Sequence, residues 1–116
     1  MRLAEKLNLK KGVKVRVVGK PAGVDLDGVA TTNSNHADAV LVFVTSLAEV
    51  DAMCGPLVEA AMEDRLAWIA YPKAGQLGTD LNRDILWRHL LKRRIQGVRQ
   101  IAIDDVWTAL RFRREK

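Results

Sequence analysis

Two stretches of the chain are apolar without interruption. Ala39-Val40-Leu41-Val42-Phe43-Val44 and Leu66-Ala67-Trp68-Ile69-Ala70-Tyr71 each lie between polar flanks. That pattern predicts strands covered on both faces, as in a parallel sheet. A third stretch alternates, with Val13, Val15 and Val17 set against Lys14, Arg16 and Val18, which predicts a strand with one dry face. Charged residues on it also suit an edge position. Leu81, Ile85, Leu86, Leu90 and Leu91 recur at helical spacing and predict a helix over Leu81 to Ile95. Thr79 or Asp80 is the expected cap and Gly97 the expected stop. Val98 to Ile103 and Val106 to Arg113 flank Asp104-Asp105 and read as a terminal hairpin.

Shorter signals fill the gaps. Leu3, Ala4 and Leu7 suggest a short helix or turn over Arg2 to Leu9, closed by Lys10-Lys11-Gly12, since cations and then glycine suit a helix end. Ser46 and Glu49 have capping-box spacing at a helix start. Gly55-Pro56 should break that helix, because an interior proline costs about 3 kcal/mol. Pro56 then opens a second helix, Leu57 to Asp64. Gly19 to Gly23 and Pro72 to Gly78 read as loops. Val24 to Asn35 has little periodicity, and Val24, Leu26 and Val29 make at most one short strand. Strands alternating with helices predict a mostly parallel sheet with right-handed crossovers. The expected fold is therefore α/β: a three-layer or partly open Rossmann-like sheet of about five strands with an antiparallel C-terminal hairpin strand. It forms one domain over 1–116.

Composition narrows the setting. The 116 residues are 48% apolar and 28% charged, ordinary values for a folded domain. The longest uncharged apolar-rich run, Ala39 to Ala48, is far short of the roughly 20 residues that cross a bilayer, so no membrane partner is expected. Met1 to Lys11 alternates charge and Leu, unlike the apolar core of a signal peptide. The single cysteine, Cys54, excludes an internal disulfide. Together these predict a cytoplasmic setting. Two histidines and one cysteine give no metal-ligand spacing, so no metal is expected.

Charge is unevenly spread. No basic residue lies between Lys20 and Arg65, while Asp25, Asp27, Asp38, Glu49, Asp51, Glu59, Glu63 and Asp64 contribute −8. The flanks therefore carry +13, which with −8 leaves the net of +5.

Five segments in a fixed order carry a family resemblance. They are Leu7-Asn8-Leu9-Lys10-Lys11-Gly12-Val13-Lys14-Val15, Ala37 to Ser46, Leu66 to Lys73, Thr79-Asp80-Leu81, and Asp104 to Phe112. Together they resemble a family of short bacterial proteins of uncharacterised function with a truncated, methyltransferase-like sheet. The resemblance implies a fold, not an activity. S-adenosylmethionine methyltransferases place an acidic residue before a Gly-x-Gly turn, and Val17-Val18-Gly19-Lys20-Pro21-Ala22-Gly23 has neither feature. Ala37 follows Gly23 by 14 positions, too few for a helix, a strand and another helix at about 1.5 and 3.3 Å per residue. The ribose-binding strand is expected to be missing and no cofactor is assigned.

In open parallel sheets, ligands bind beyond the carboxyl ends of the strands. Those ends carry Gly19, Lys20, Ser46, Tyr71, Lys73, Thr79, Asp105 and Trp107. Two lysines and two helix starts would suit a small anion such as phosphate. The plainer readings are that Ser46, Thr79 and Asp80 cap helices and that Trp107 is core. His36 and Asp38 share one side of a strand without a placed nucleophile, and His89 reads as a surface or packing residue. A binding module for a small anionic ligand or protein partner is the favoured reading. A minimal enzyme using Lys73 is an alternative. Another is a nucleic-acid-associated protein using Lys92, Arg93, Arg94, Arg99, Arg111 and Arg113. Loss of outer strands would leave the first strand as an edge, and Trp87, Leu110 and Phe112 uncovered. A homodimer would cover both.

Overall fold

A computed structural model describes residues 2–26 and 28–115; Asp27, one of the acids counted above, lies outside them. The elements in order are α1 (Leu3–Lys6), β1 (Val15–Val18), β2 (Thr31–Thr32), β3 (Ala39–Phe43), α2 (Leu47–Met53), α3 (Gly55–Met62), β4 (Leu66–Pro72), α4 (Arg83–Leu91), β5 (Ile95–Ala102) and β6 (Trp107–Arg114). None of these helices is long and apolar enough to cross a membrane.

The fold is α/β on a six-stranded mixed sheet ordered β2-β1-β3-β4-β6-β5. β2, β1, β3 and β4 are parallel. β6 is inserted antiparallel between β4 and β5. The two apolar runs are the central strands β3 and β4, and every residue of β3 is buried. Alternate positions feed two cores. Val40, Val42, Ile69, Tyr71, Leu110 and Phe112 pack with Val50, Leu57, Ala61, Leu86 and Leu90 of α2, α3 and α4. On the other face Leu41, Phe43, Trp68, Ala70 and Ala109 pack with Leu7 and Val24. This second face is covered only by α1 and loops. The Trp68 indole N–H anchors that cover by donating to the Leu7 carbonyl at 3.1 Å.

Local signals explain most boundaries. The Ser46 hydroxyl accepts from the Glu49 amide, as expected of an N-cap. The Glu49 side chain reaches chiefly past Ser46. Its carboxylate accepts from the Thr45 amide at 2.6 Å and from the Thr45 hydroxyl, one residue further out. Gly55-Pro56 separates α2 from α3, with Pro56 in the first turn of α3.

Several expectations are corrected. The helix expected over Leu81 to Ile95 spans only Arg83 to Leu91, and its cap is Asn82, whose side chain accepts from the Ile85 amide at 2.9 Å. Thr79 and Asp80 are committed elsewhere: Thr79 donates to the Thr45 carbonyl, and Asp80 accepts from the Leu47 amide at the start of α2. Gly97 does not stop α4. Arg94 takes the left-handed turn, at φ 65°, and Gly97 lies inside β5 under the Trp87 ring, where a Cβ would sit 3.1 Å from the indole.

The sheet has six strands, not about five. Val24, Leu26 and Val29 form no strand; they turn inward against the second core, and Thr31–Thr32 pairs with β1 instead. β1 is therefore not an edge over Val15 and Arg16. Leu110 and Phe112 are not uncovered, because β6 lies inside the sheet and both side chains are buried under the helices. Among the described residues the large apolar side chains left exposed are Met62, Leu77, Trp87, Leu91 and Val98, with Trp87 lying over Gly97 of β5.

Candidate functional site

The insertion of β6 brings the carboxyl ends of β4 and β5 to the same rim, on either side of the start of β6. A cleft of about 430 Å³ opens there, lined by Tyr71, Lys73, Asn82, Arg83, Gln100 and Thr108 among others. β4 delivers Tyr71 and then Lys73, whose amide is held by the Val106 carbonyl at 2.7 Å. The start of α4 delivers Asn82 and Arg83. β5 and β6 deliver Gln100 and Thr108.

A short chain of hydrogen bonds fixes donor directions in the cleft. Thr108 donates its hydroxyl to the Ile101 carbonyl at 2.8 Å. Its oxygen can then only accept, and the Gln100 amide N–H meets it at 3.3 Å. The same nitrogen donates to the Tyr71 hydroxyl at 3.2 Å. The Tyr71 proton is left for another acceptor. Burial pushes the Tyr71 hydroxyl up to about 12, so it stays a neutral donor. Asn82 uses its side-chain oxygen to cap α4, which leaves its N–H groups. Lys73 and Arg83 supply cations. Asp84 is 3.5 Å from Arg83, but both are exposed, and such pairs are worth about 0–1 kcal/mol. The positive end of the α4 dipole adds to the same sign.

Of the rim residues expected from sequence, only Tyr71 and Lys73 line this cleft. The others are not gathered with them. Ser46 and Thr79 are helix and loop fasteners. Trp107 is 4% exposed and packs edge-on to Phe43 with ring centres 5.3 Å apart, so it is core and presents no ring for stacking. Asp105 is an exposed turn residue beside Asp104, whose carboxylate accepts from the amides of Val106 and Trp107. Asn82, Arg83, Gln100 and Thr108 were missed. Gln100 lies opposite Leu110 on the helix face, a side that plain alternation from Ile95 does not give it, because the register shifts between Gly97 and Arg99.

At the end of β1 the residues do not suit S-adenosylmethionine. At Gly19 a Cβ would meet the Met53 methyl at 2.7 Å and the Phe43 carbonyl at 3.0 Å. The turn is close-packed on Met53 of α2 at this one position. The Lys20 ammonium folds back on the Val24 and Pro21 carbonyls at 2.8 and 3.1 Å. The hollow of about 360 Å³ beside it ends at Asn33, with no carboxylate among its described lining residues to hold a ribose.

Two other groupings stand apart. His89 and Asp51 join α4 to α2 at 2.7 Å, so His89 is not the lone side chain its position suggested. That hydrogen bond holds the Asp51 carboxyl below its ordinary value. Arg93 also approaches Asp51, at 3.8 Å. Of the six basic candidates, Arg99, Arg111 and Arg113 share the sheet face away from the helices, while Lys92, Arg93 and Arg94 follow α4.

No family model, curated protein or solved structure matches the chain.

Proposed function

We propose that this chain is a binding module on a shortened methyltransferase-like sheet, and that it holds a small anion, a phosphate or carboxylate, in the cleft at the carboxyl ends of β4 and β5. The strand order, with an antiparallel strand inserted next to the last, supports the architectural part of this reading. The observation that carries the functional part is the convergence of donors. Lys73, Arg83, the Asn82 amide and the Tyr71 hydroxyl line one cleft in which the hydrogen-bond chain already engages the Thr108 and Tyr71 oxygens as acceptors. A donor-rich cleft at a helix start selects negative charge. The described lining has no histidine or carboxylate to act as a general base, which favours binding over catalysis.

Thermal unfolding with inorganic phosphate, a nucleoside monophosphate and S-adenosylmethionine tests this. An anion at about 100 times its dissociation constant adds about 2.7 kcal/mol, or about 10 °C for a domain of this size. The anions should raise Tm in the native chain and not in Lys73→Gln/Arg83→Gln, and S-adenosylmethionine should do no more than its charge allows. If no anion stabilises the protein, or the double variant responds equally, the reading fails.

A further inference from the structure

The face of the sheet away from α2, α3 and α4 carries a second charged feature. Arg99 and Arg111 are register partners on β5 and β6, and Arg113 follows Arg111 by two positions. All three therefore project from one face. It is the face of Trp68, the partner of Arg111 on β4. Neighbouring positions lie about 5 Å apart across the strands and about 7 Å apart along one. Lys6, whose ammonium reaches the Ala102 carbonyl at 3.3 Å, extends the strip toward the far end of β5.

These charges are poorly compensated. Asp64 is 3.5 Å from Arg113, with both side chains exposed. Among the described residues Arg99 and Arg111 have no ion-pair partner. The Arg111 Nε is buried and makes no hydrogen bond. Burial, then Arg113 and Arg99, push the Arg111 pKa down. The acids Glu49, Asp51, Glu59 and Glu63 belong to α2, α3 and the end of α3, in the layer behind the sheet.

We propose that the open face of the β5–β6 hairpin docks the sugar–phosphate backbone of nucleic acid, with Arg99, Arg111 and Arg113 each holding phosphate oxygens. The arginines are spread over more than one phosphate's width, which fits a row of anionic groups. Their planar forks match phosphate geometry. Trp68 is buried beneath α1, so no aromatic ring is offered to the bases, and recognition is of the backbone. This surface is separate from the rim cleft and does not rest on it.

Fluorescence anisotropy of the full chain with a labelled oligonucleotide, single-stranded and duplex, tests the proposal across a salt series. Three phosphate contacts give a slope of log affinity on log salt of about −2 for a single strand and about −2.7 for a duplex. Affinity should then fall about 20- to 40-fold between about 50 and 200 mM salt. Arg99→Gln/Arg113→Gln, both exposed in the fold, should remove about two-thirds of that slope. Arg111→Met should remove about one-third without lowering Tm. Lys73→Gln/Arg83→Gln should bind the oligonucleotide as the native chain does, which separates this result from the anion test of the cleft. The proposal is overturned by no binding at low salt, by an unchanged slope in Arg99→Gln/Arg113→Gln, or by equal binding of polyglutamate of the same charge.

Discussion

Tyr71 offers a direct test of the cleft, because it is the only tyrosine in the chain. Its side chain is 2% exposed, and burial raises its hydroxyl from 10 to about 12. The unfolded chain therefore ionises this group first. The stability contributed by keeping it neutral is fully present below about pH 10 and is lost as pH rises through about 12. Two pKa units correspond to about 2.7 kcal/mol, an upper figure, since the hydroxyl borders the cleft. Tyr71→Phe removes this dependence and the hydrogen bond from Gln100, which keeps its bond to Thr108. Near neutral pH the variant should lose about 1 kcal/mol. Above pH 10 the gap should shrink and then reverse, because lysines and other groups titrate alike in both proteins. Two assays read this: phenolate absorbance of the folded protein against pH, and urea unfolding of both proteins at neutral and alkaline pH. If the phenolate appears near pH 10 with the fold intact, or the stability gap is the same at both pH values, the neutral buried donor is wrong.

Other positions give sharp expectations. Gly97→Ala places a methyl 3.1 Å from the Trp87 ring and 3.5 Å from a Leu110 methyl. The ring is 37% exposed and can lift, so the cost should be at the low end of overpacking, about 1 kcal/mol. Acrylamide quenching should rise with it, because Trp68 and Trp107 are buried. Asp80→Ala removes the acceptor at the Leu47 amide and should cost about 0.5–2 kcal/mol in urea unfolding. The loss should appear as faster amide exchange at the start of α2 rather than of α4; protection lost at α4 instead would contradict the assignment.

The central strands were legible because burial on both faces leaves a plain mark: β3 and β4 are unbroken apolar runs. The α2–α3 break was legible because Pro56 acts through its own backbone. The start of α4 was misread for a reason of a different kind. Thr79 and Asp80 are good caps by residue type, but tertiary partners claim both, one at the Thr45 carbonyl and one at the head of α2. A signal for Asn82 was present. Leu81 before it and Leu86 after it are the two ends of a hydrophobic staple, and both are buried in one core. Hydrophobic periodicity counted Leu81 as helical when it was the residue outside the helix. The cleft was half legible. Position along the chain places Tyr71 and Lys73 at a strand end, but Gln100 and Thr108 join them only because β6 is inserted between β4 and β5.

A shift of register decides what each face of that hairpin carries. β5 and β6 pair in one register up to Gly97 opposite Phe112, and in another from Arg99 opposite Arg111, with Val98 as the bulge between them. Had the first register continued, Arg99 would lie opposite Leu110 on the helix face and Gln100 opposite Ala109 on the open face. The arginine strip would lose a member, and the cleft would lose the amide that orients Tyr71. The bulge also leaves Val98 44% exposed on an edge strand, a feature that disrupts pairing with another edge. Deleting Val98 therefore has a definite expectation. Gly97 and Arg99 become neighbours, keep Phe112 and Arg111 as partners, and alternate faces in a regular ladder. The deletion variant should fold, hold the Tyr71 hydroxyl near 12, and keep its salt-dependent binding of oligonucleotide. A folded deletion variant with Tyr71 back near 10 would show that the register, and not the extra residue alone, had moved.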